Sequence, residues 1–423
     1  MNTDCKSSID NLSKYKSSNE NYEAFFGLPS EVKFCRNCVI SNQRPRSTVE
    51  YKKTKETAQE TIDFDDKGIC DACRYHEVKE KEIDWAAREK SLVELLNSHR
   101  RNDAGYDVIV PGSGGKDSAY TSHVLKYKYG MNPLTVTWAP HKYTEIGWKN
   151  FENWIHEGGM DNVLFTPNGR LHRYLSRQAF LNLCHPFQPF IVGQRIVGPL
   201  MAEKFGVKLV MYGENQAEYG NDPKENFRPI MGRGFFSTEN PNPEELVLGG
   251  RKVKDIISEG EHTLNDFTPY IPLSAEVLKH KGINVHYLGY YHKWDPQECY
   301  YYAVENTSFQ ANSERTEGTY SKYSSVDDKI DMFHYYTTLI KFGIGRATYD
   351  AAQEIRNKKI TREEGVQLVR KYDQEFPKKY FKEFLKYISL NEDEFYGVID
   401  GFRSPHLWAR EKGEWVLRHT VWH

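Results

Sequence analysis

Residues 107–118 constrain the fold of this chain more than any other stretch. Asp107-Val108-Ile109-Val110-Pro111 is a short apolar run with the character of a buried strand. Ser113-Gly114-Gly115-Lys116-Asp117-Ser118 follows, and residues 119–126 can continue as a helix. A strand, a glycine turn and a helix in that order aim backbone N–H groups at an anion such as phosphate. The glycines permit a turn with positive φ and a close approach of backbone to ligand. Lys116 adds a mobile positive charge. The spacing is not that of the G-x-x-x-x-G-K-[ST] loop. The bland alternative is an incidental Ser/Gly turn before a helix.

Strands and helices alternate around this turn. Apolar runs at 107–111, 134–138, 162–166 and 207–212 read as strands, with helical stretches near 117–129, 145–158, 170–183 and 191–205. Alternation of this kind predicts an α/β fold with a parallel sheet and right-handed crossovers. Ligands of such sheets sit beyond the carboxyl ends of the strands. A further strand is expected at 284–289, after a Pro/Gly-punctuated insertion near 221–283. The expected divisions are a polar tail at 1–27, a cysteine-bearing module at 28–80, a linker helix within 81–105, the sheet domain at 106–290 and a mainly helical part at 291–423. The linker helix, 83–100, is amphipathic through Trp85, Leu92 and Leu95. C-terminal helices are expected at 326–341, 347–356, 362–372 and 378–388.

Bulk properties narrow the class. A chain of 423 residues has room for two or three domains, and 39% hydrophobic with 27% charged residues fits a soluble globular protein. A formal net charge of −2 offers no electrostatic case for a nucleic-acid partner. No apolar run reaches the roughly 18 residues of a membrane span. The polar start lacks a secretory h-region, so the cytoplasm is the expected location. Seven cysteines, an odd number, do not suggest a disulfide framework.

Four of those cysteines form two C-x-x-C pairs, Cys35/Cys38 and Cys70/Cys73. Two such knuckles can offer a tetrahedron of thiolates to a structural Zn²⁺. Four ordinary buried thiols, or a redox pair, are the alternatives. Cys5, Cys184 and Cys299 are single and read as buried or bystander thiols. A second polar constellation, 212–220, follows the fourth strand: Tyr212-Gly213-Glu214-Asn215-Gln216-Ala217-Glu218-Tyr219-Gly220. Glu214, Asn215 and Glu218 are placed there to hold Mg²⁺, which prefers oxygen ligands and substrate phosphates, or to form a capped turn.

The hexapeptide 113–118 resembles the PP-loop of the ATP pyrophosphatases, which split ATP between its α- and β-phosphates and place AMP on a carbonyl or amide oxygen. From about residue 28 to about 408 the chain resembles a narrower family, the N-acetyl sugar amidotransferases (WbpG/PseA-like) of bacterial surface-glycan synthesis. The residues carrying this likeness are the two C-x-x-C pairs, the PP-loop and the stretches 182–195, 213–220, 287–296, 317–328, 340–346 and 402–405. The resemblance implies an adenine nucleotide α-hydrolase-like domain with an N-terminal Cys₄ zinc knuckle. It also implies a reaction: ATP adenylates the acetamido oxygen of an activated or nucleotide-linked sugar, and ammonia displaces AMP to leave an acetamidino group. The implied cofactors are ATP, Mg²⁺ and structural Zn²⁺. This chain shows no glutaminase motif, so the implied partners are a separate glutaminase and a cyclase-like subunit, similar to those of histidine biosynthesis.

On this basis Ser113, Gly114, Gly115 and Ser118 are expected to contact phosphate, and Lys116 to neutralise it. Asp117 is expected to hold Mg²⁺ or to cap the helix. Trp138 is expected near adenine by its position at a strand end. Gly213, Glu214, Asn215 and Glu218 are expected across the sheet edge, Glu218 in a catalytic role. Arg195, Lys341 and Arg346 are cation candidates for phosphate, or surface or structural ion pairs. Asp327 and Asp328 read as helix caps or metal ligands. Tyr287, Tyr290, Tyr291 and Trp294 read as a sugar-stacking cluster or as aromatic core. Two rival functions remain: a tRNA-thiolating enzyme with Cys184 as sulfur carrier, and a non-catalytic zinc scaffold that senses ATP.

Overall fold

The computed structural model describes residues 13–16, 22–46, 60–220, 225–239 and 242–423. Its centre is a five-stranded sheet in which every neighbouring pair is parallel. The strands are β1 (Val108–Pro111), β2 (Pro133–Trp138), β3 (Asp161–Phe165), β4 (Leu209–Tyr212) and β5 (Asn284–Tyr287). Their order is β3-β2-β1-β4-β5. All residues of β1 and β2 are buried, as the unbroken apolar runs require of a sheet covered on both faces. From β1 the chain moves first to one side, to β2 and β3, and later to the other, to β4 and β5. That reversal opens a crevice beyond the carboxyl ends of β1 and β4, where ligands of such sheets bind.

Helices α1 (Asp71–Lys81) and α2 (Trp85–His99) precede the sheet. Between strands lie α3 (Lys116–His123), α4 (Glu145–His156), α5 (Gly169–Leu183) and α6 (Gln188–Phe205). The single helix expected over 117–129 divides: α3 ends at His123 and a wider π-type turn, Val124–Lys128, continues it. The strand expected over 284–289 stops at Tyr287, because the N–H of Gly289 turns to donate to the Gly213 carbonyl at 2.8 Å.

The C-terminal half is helical, with α7 (Pro296–Thr307), α8 (Asp331–Phe342), α9 (Arg346–Arg356), α10 (Arg362–Tyr372), α11 (Phe381–Ile388) and α12 (Glu392–Phe402). The helix expected from 326 begins at Asp331, because residues 326–330 are drawn aside: Asp328 pairs with Tyr143 in an isolated antiparallel bridge. A hairpin, β6 (Trp408–Glu411) with β7 (Glu414–Leu417), closes the chain and was not expected from periodicity.

One continuous cluster of buried side chains runs from Phe26 and the four cysteines through Ile109 and Val210 to Phe342 and Phe402. The N-terminal cysteine module therefore shares its core with both the sheet and the C-terminal helices. Most of the expected tail, including Cys5, lies outside the described residues, but Tyr15, Phe25 and Phe26 within it are buried. No helix among the described residues is long and apolar enough to cross a membrane.

Candidate active site

The turn after β1 is built to present the head of α3. Gly114 adopts φ +82, and a Cβ there would stand 2.9 Å from Cα of Phe151, so only glycine fits. The N–H of Gly114 donates to Ser118 Oγ at 3.2 Å, and Ser118 Oγ donates to the Gly115 carbonyl at 3.0 Å. Lys116 is the first residue of α3, and its Nζ lies 2.6 Å from Asp117 Oδ2. Burial works against the Lys116 charge, but Asp117 and Glu214 outweigh it and hold the ammonium above its ordinary range.

This turn forms one wall of a cavity of about 560 Å³, lined by Ser113, Gly115, Lys116 and Asp117. The head of α6 adds Gln188, Phe190 and Arg195, and the loop after β4 adds Glu214 and Tyr219. Asp327, Asp328, Asp331, Tyr335 and Arg346 complete the lining. Gly147 lets α4 abut this acidic stretch: a Cβ there would fall 2.4 Å from Cα of Asp327.

The electrostatics are those of carboxylates forced together in poor solvent. Burial, then the nearby Asp117, pushes the Glu214 carboxyl up to about 7, although the Tyr219 hydroxyl donates to it. Burial pushes Asp331 up to about 7 against the pull of Arg346. Burial likewise raises Asp327, partly offset by a hydrogen bond with Ser113. Arg346 pairs with Asp350 at 3.1 Å and lies over the Tyr335 ring at 4.4 Å. Arg195 lies over Phe235 at 5.2 Å. Asp117 Oδ1 is buried without a hydrogen-bond partner among the described residues. This orphaned carboxylate oxygen and the Glu214 carboxyl make an oxygen-only donor set, which fits Mg²⁺.

Residues 317–421 match the family model described as "LPS biosynthesis protein WbpG-like, C-terminal domain". Residues 317–421 are similar to a WbpG-like C-terminal domain. No match is found among the curated proteins. Among solved structures, the NH3-dependent NAD synthetase from Campylobacter jejuni aligns at 13% identity and a TM-score of 0.25, over 30% of this chain. The alignment spans 56% of that synthetase, little more than half its length. The NMN synthetase from Francisella tularensis aligns at 14% identity and a TM-score of 0.24, over 50% of this chain and 94% of that one. Both likenesses are faint, and the fold rests on the strand order and register given above.

The WbpG-like domain supplies the acidic wall and Arg346, so the cavity is complete only where this domain meets the sheet. Several expected site residues stand elsewhere. Trp138 does not line the cavity: it stacks on Phe165 at 5.3 Å in the core. Glu218 is buried in an ion pair with Lys79 of α1 at 2.7 Å. Asn215 caps a turn through the N–H of Ala217, and Gly213 packs against Trp294. Lys341 is buried, donating to the Leu183 carbonyl at 3.0 Å. Tyr287, Tyr291 and Trp294 are core, and Tyr290 lies under the Arg88 guanidinium at 4.0 Å. In each case a longer-range packing partner claims the side chain, which no local pattern announces. Cys184 is also buried, in the left-handed position that ends α5 (φ 45), away from the cavity lining.

Asp331 was not singled out from the sequence. It follows Asp327 by four residues, and the D-D-x-x-D spacing of Asp327, Asp328 and Asp331 is the signal that could have found it. Asp328 itself is spoken for by His141, whose Nδ1 lies 2.7 Å from its Oδ2.

The four module cysteines converge. Cys35 and Cys73 sulfurs are 3.9 Å apart, Cys38 and Cys70 sulfurs 3.8 Å, and all four ligand atoms lie within 4.8 Å of one another. A tetrahedron with Zn–S of about 2.3 Å has S···S edges of about 3.8 Å, so the set fits zinc. Arg362 of the WbpG-like domain donates to the Cys38 carbonyl at 3.2 Å, so the centre braces that domain. Closed by four sulfurs, it has no open position for catalysis.

Proposed function

We propose that the protein is an ATP-dependent amidotransferase that converts an acetamido group of an activated or nucleotide-linked sugar to an acetamidino group, in cytoplasmic surface-glycan synthesis. The observation that carries this reading is the placement of Lys116, on its phosphate-binding turn, in one cavity with Glu214, Asp327, Asp331 and Arg346. Two cations, Lys116 and Arg346, suit the charge of a triphosphate, and the carboxyls that share their cavity suit its metal. The likeness of residues 317–421 to a lipopolysaccharide-biosynthesis domain supports the sugar substrate.

The chemistry follows from leaving groups. An amide oxygen leaves poorly, whereas AMP leaves well, and each ~1.4 kcal/mol removed from the barrier is tenfold in rate. The amide oxygen attacks the α-phosphorus and pyrophosphate departs. Ammonia then adds to the imidate carbon and AMP departs with the oxygen. Lys116 and the N–H groups at the head of α3 stabilise charge building on pyrophosphate. Mg²⁺, when bound, would neutralise phosphate charge from Asp117 and Glu214. Ammonia comes from a glutaminase partner with a cyclase-like subunit. Efficient use of glutamine by the purified chain alone would overturn that partnership.

The test is ATP–pyrophosphate exchange with nucleotide-linked N-acetyl sugars, followed by mass spectrometry for replacement of oxygen by NH when ammonium is added. Lys116→Ala should lower exchange by about 100-fold or more while zinc content stays unchanged. Undiminished exchange would sink the reading.

A further inference from the structure

The cysteine module reaches the cavity through one short stretch. Arg44 and Arg46, which lie between its two C-x-x-C knuckles, both line the cavity. An isolated antiparallel bridge, Pro45 with Thr61, holds the stretch extended. The Arg46 N–H donates to the Glu60 carbonyl and the Ile62 N–H to the Arg44 carbonyl, both at 2.9 Å. In an extended chain, side chains two residues apart leave on the same face, about 6.6 Å apart along the strand. Two guanidinium groups therefore leave the module together, on the side that borders the cavity.

Neither is matched by a buried carboxylate. Arg44 is 6% exposed and makes no ion pair among the described residues. Its Nη1 donates to the carbonyls of Gly220 at 2.9 Å and Pro45 at 3.4 Å, and its guanidinium lies over the Tyr349 ring at 5.5 Å. Burial raises the Asp71 carboxyl and the Arg44 charge offsets part of that rise, yet the two make no ion pair. Arg46 pairs at 3.3 Å with Glu60, whose side chain is 80% exposed. The Arg46 Nε is buried with no hydrogen-bond partner among the described residues. Three other cations of this cavity differ: Lys116 meets Asp117 at 2.6 Å, Arg346 meets Asp350 at 3.1 Å and Lys359 meets Asp295 at 3.1 Å. A buried charge is normally paired, because desolvating it unpaired is costly. A buried arginine bonded to neutral carbonyls, beside a second with an orphaned Nε, on the wall of a cavity, calls for an anion. Guanidinium forks suit phosphate oxygens, and two of them side by side suit a diphosphate.

We propose that Arg44 and Arg46 form a second anion subsite of the cavity, in addition to the turn at 113–118, and that it takes the diphosphate of a nucleotide-linked acceptor. The assignment to the acceptor rests on the amidotransferase reading; the anion subsite does not. The pyrophosphate part of ATP carries the same chemistry and is the competing source. The subsite gives the cysteine centre a part in substrate binding, since the fold of its module sets where the two guanidinium groups stand.

Calorimetric titration of inorganic pyrophosphate into the full-length protein tests the subsite. Two pyrophosphates should bind per chain. Lys116→Ala should weaken one, and Arg44→Gln or Arg46→Gln the other, by about tenfold or more, the loss of a charge-assisted hydrogen bond. Unchanged zinc content verifies the fold of each variant, and Arg46, with a side chain 19% exposed, is the gentler substitution. Fewer than two bound pyrophosphates in the wild type, or a second one that neither arginine variant weakens, overturns the subsite. In turnover with the nucleotide-linked N-acetyl sugar that supports exchange, Arg46→Gln should raise the KM for the sugar about tenfold and the KM for ATP far less. The reverse split, or an unchanged KM for the sugar, overturns the assignment to the acceptor. If the wild type shows no exchange with any acceptor, the amidotransferase reading fails instead, and the pyrophosphate titration still decides the subsite.

Discussion

Lys79 Nζ lies 2.7 Å from Glu218 Oε1, with side-chain exposures of 1% and 3%. Lys79 belongs to α1, which also carries Cys73, and its ammonium donates to the Trp294 carbonyl as well. The Glu218 carbonyl accepts from Arg356 of the WbpG-like domain at 2.7 Å. One buried pair thus pins the cysteine module, the loop after β4 and the C-terminal helices together, next to Tyr219 and Glu214 of the cavity.

Breaking a buried pair leaves an uncompensated charge, at a cost of about 3–5 kcal/mol. Lys79→Met and Glu218→Gln should each lower unfolding stability by about that amount in urea titrations. The double variant should recover much of the loss. A loss in the double variant equal to the sum of the two single losses would show that the pair is not coupled.

The cysteine centre should hold zinc stoichiometrically by metal analysis. Cys38→Ser, or chelation of the wild type, should release it and lower the melting temperature. Because Arg362 and Lys79 tie this module to the cavity walls, ATP binding should weaken in step with zinc loss. Full zinc content in Cys38→Ser would refute the four-sulfur site.

Asp331 carries a pH signature of definite sign. Its carboxyl rises from an ordinary 3.8 to about 7 in the folded protein. Between those values the folded state binds the extra proton, so this group's contribution to stability falls as pH rises from about 4 to 7. Asp331→Asn removes that slope. Relative to the wild type it should gain stability steadily between pH 5 and 8, by about 1 kcal/mol or more. Urea unfolding at several pH values measures the difference, and a pH-independent difference would contradict the burial of this carboxyl.

Cys184 separates the amidotransferase from a sulfur-transfer enzyme. Cys184 is buried at the end of α5 and is not among the residues that line the cavity. Cys184→Ser should therefore keep near-wild-type turnover after correction for the folded fraction. Abolished turnover with intact folding would favour thiolation.

Much of this was legible along the chain because it is local. The period of apolar residues placed β1 to β4 within two residues, and the glycine turn sits where the strand-to-helix change required it. The C-x-x-C spacing anticipated the sulfur cluster, since each pair closes its own knuckle. Where a segment's end is set by a distant partner, local pattern failed: residues 326–330 leave the helix for Tyr143, and the strand ends at Tyr287 as the Gly289 N–H turns to the Gly213 carbonyl.

The sequence by itself determined the alternation of strands and helices, the glycine turn and the two C-x-x-C knuckles, because each depends on neighbours a few residues apart. Only the tertiary structure decided which charges serve the cavity. Lys116, Glu214, Asp331 and Arg346 meet there, while Glu218 and Lys341, equally polar in the sequence, are claimed by buried partners. His141 and Asp328, 187 residues apart, are joined by packing alone. A buried charge takes the partner that the fold brings to it, and that partner is fixed by the docking of three separate stretches of chain.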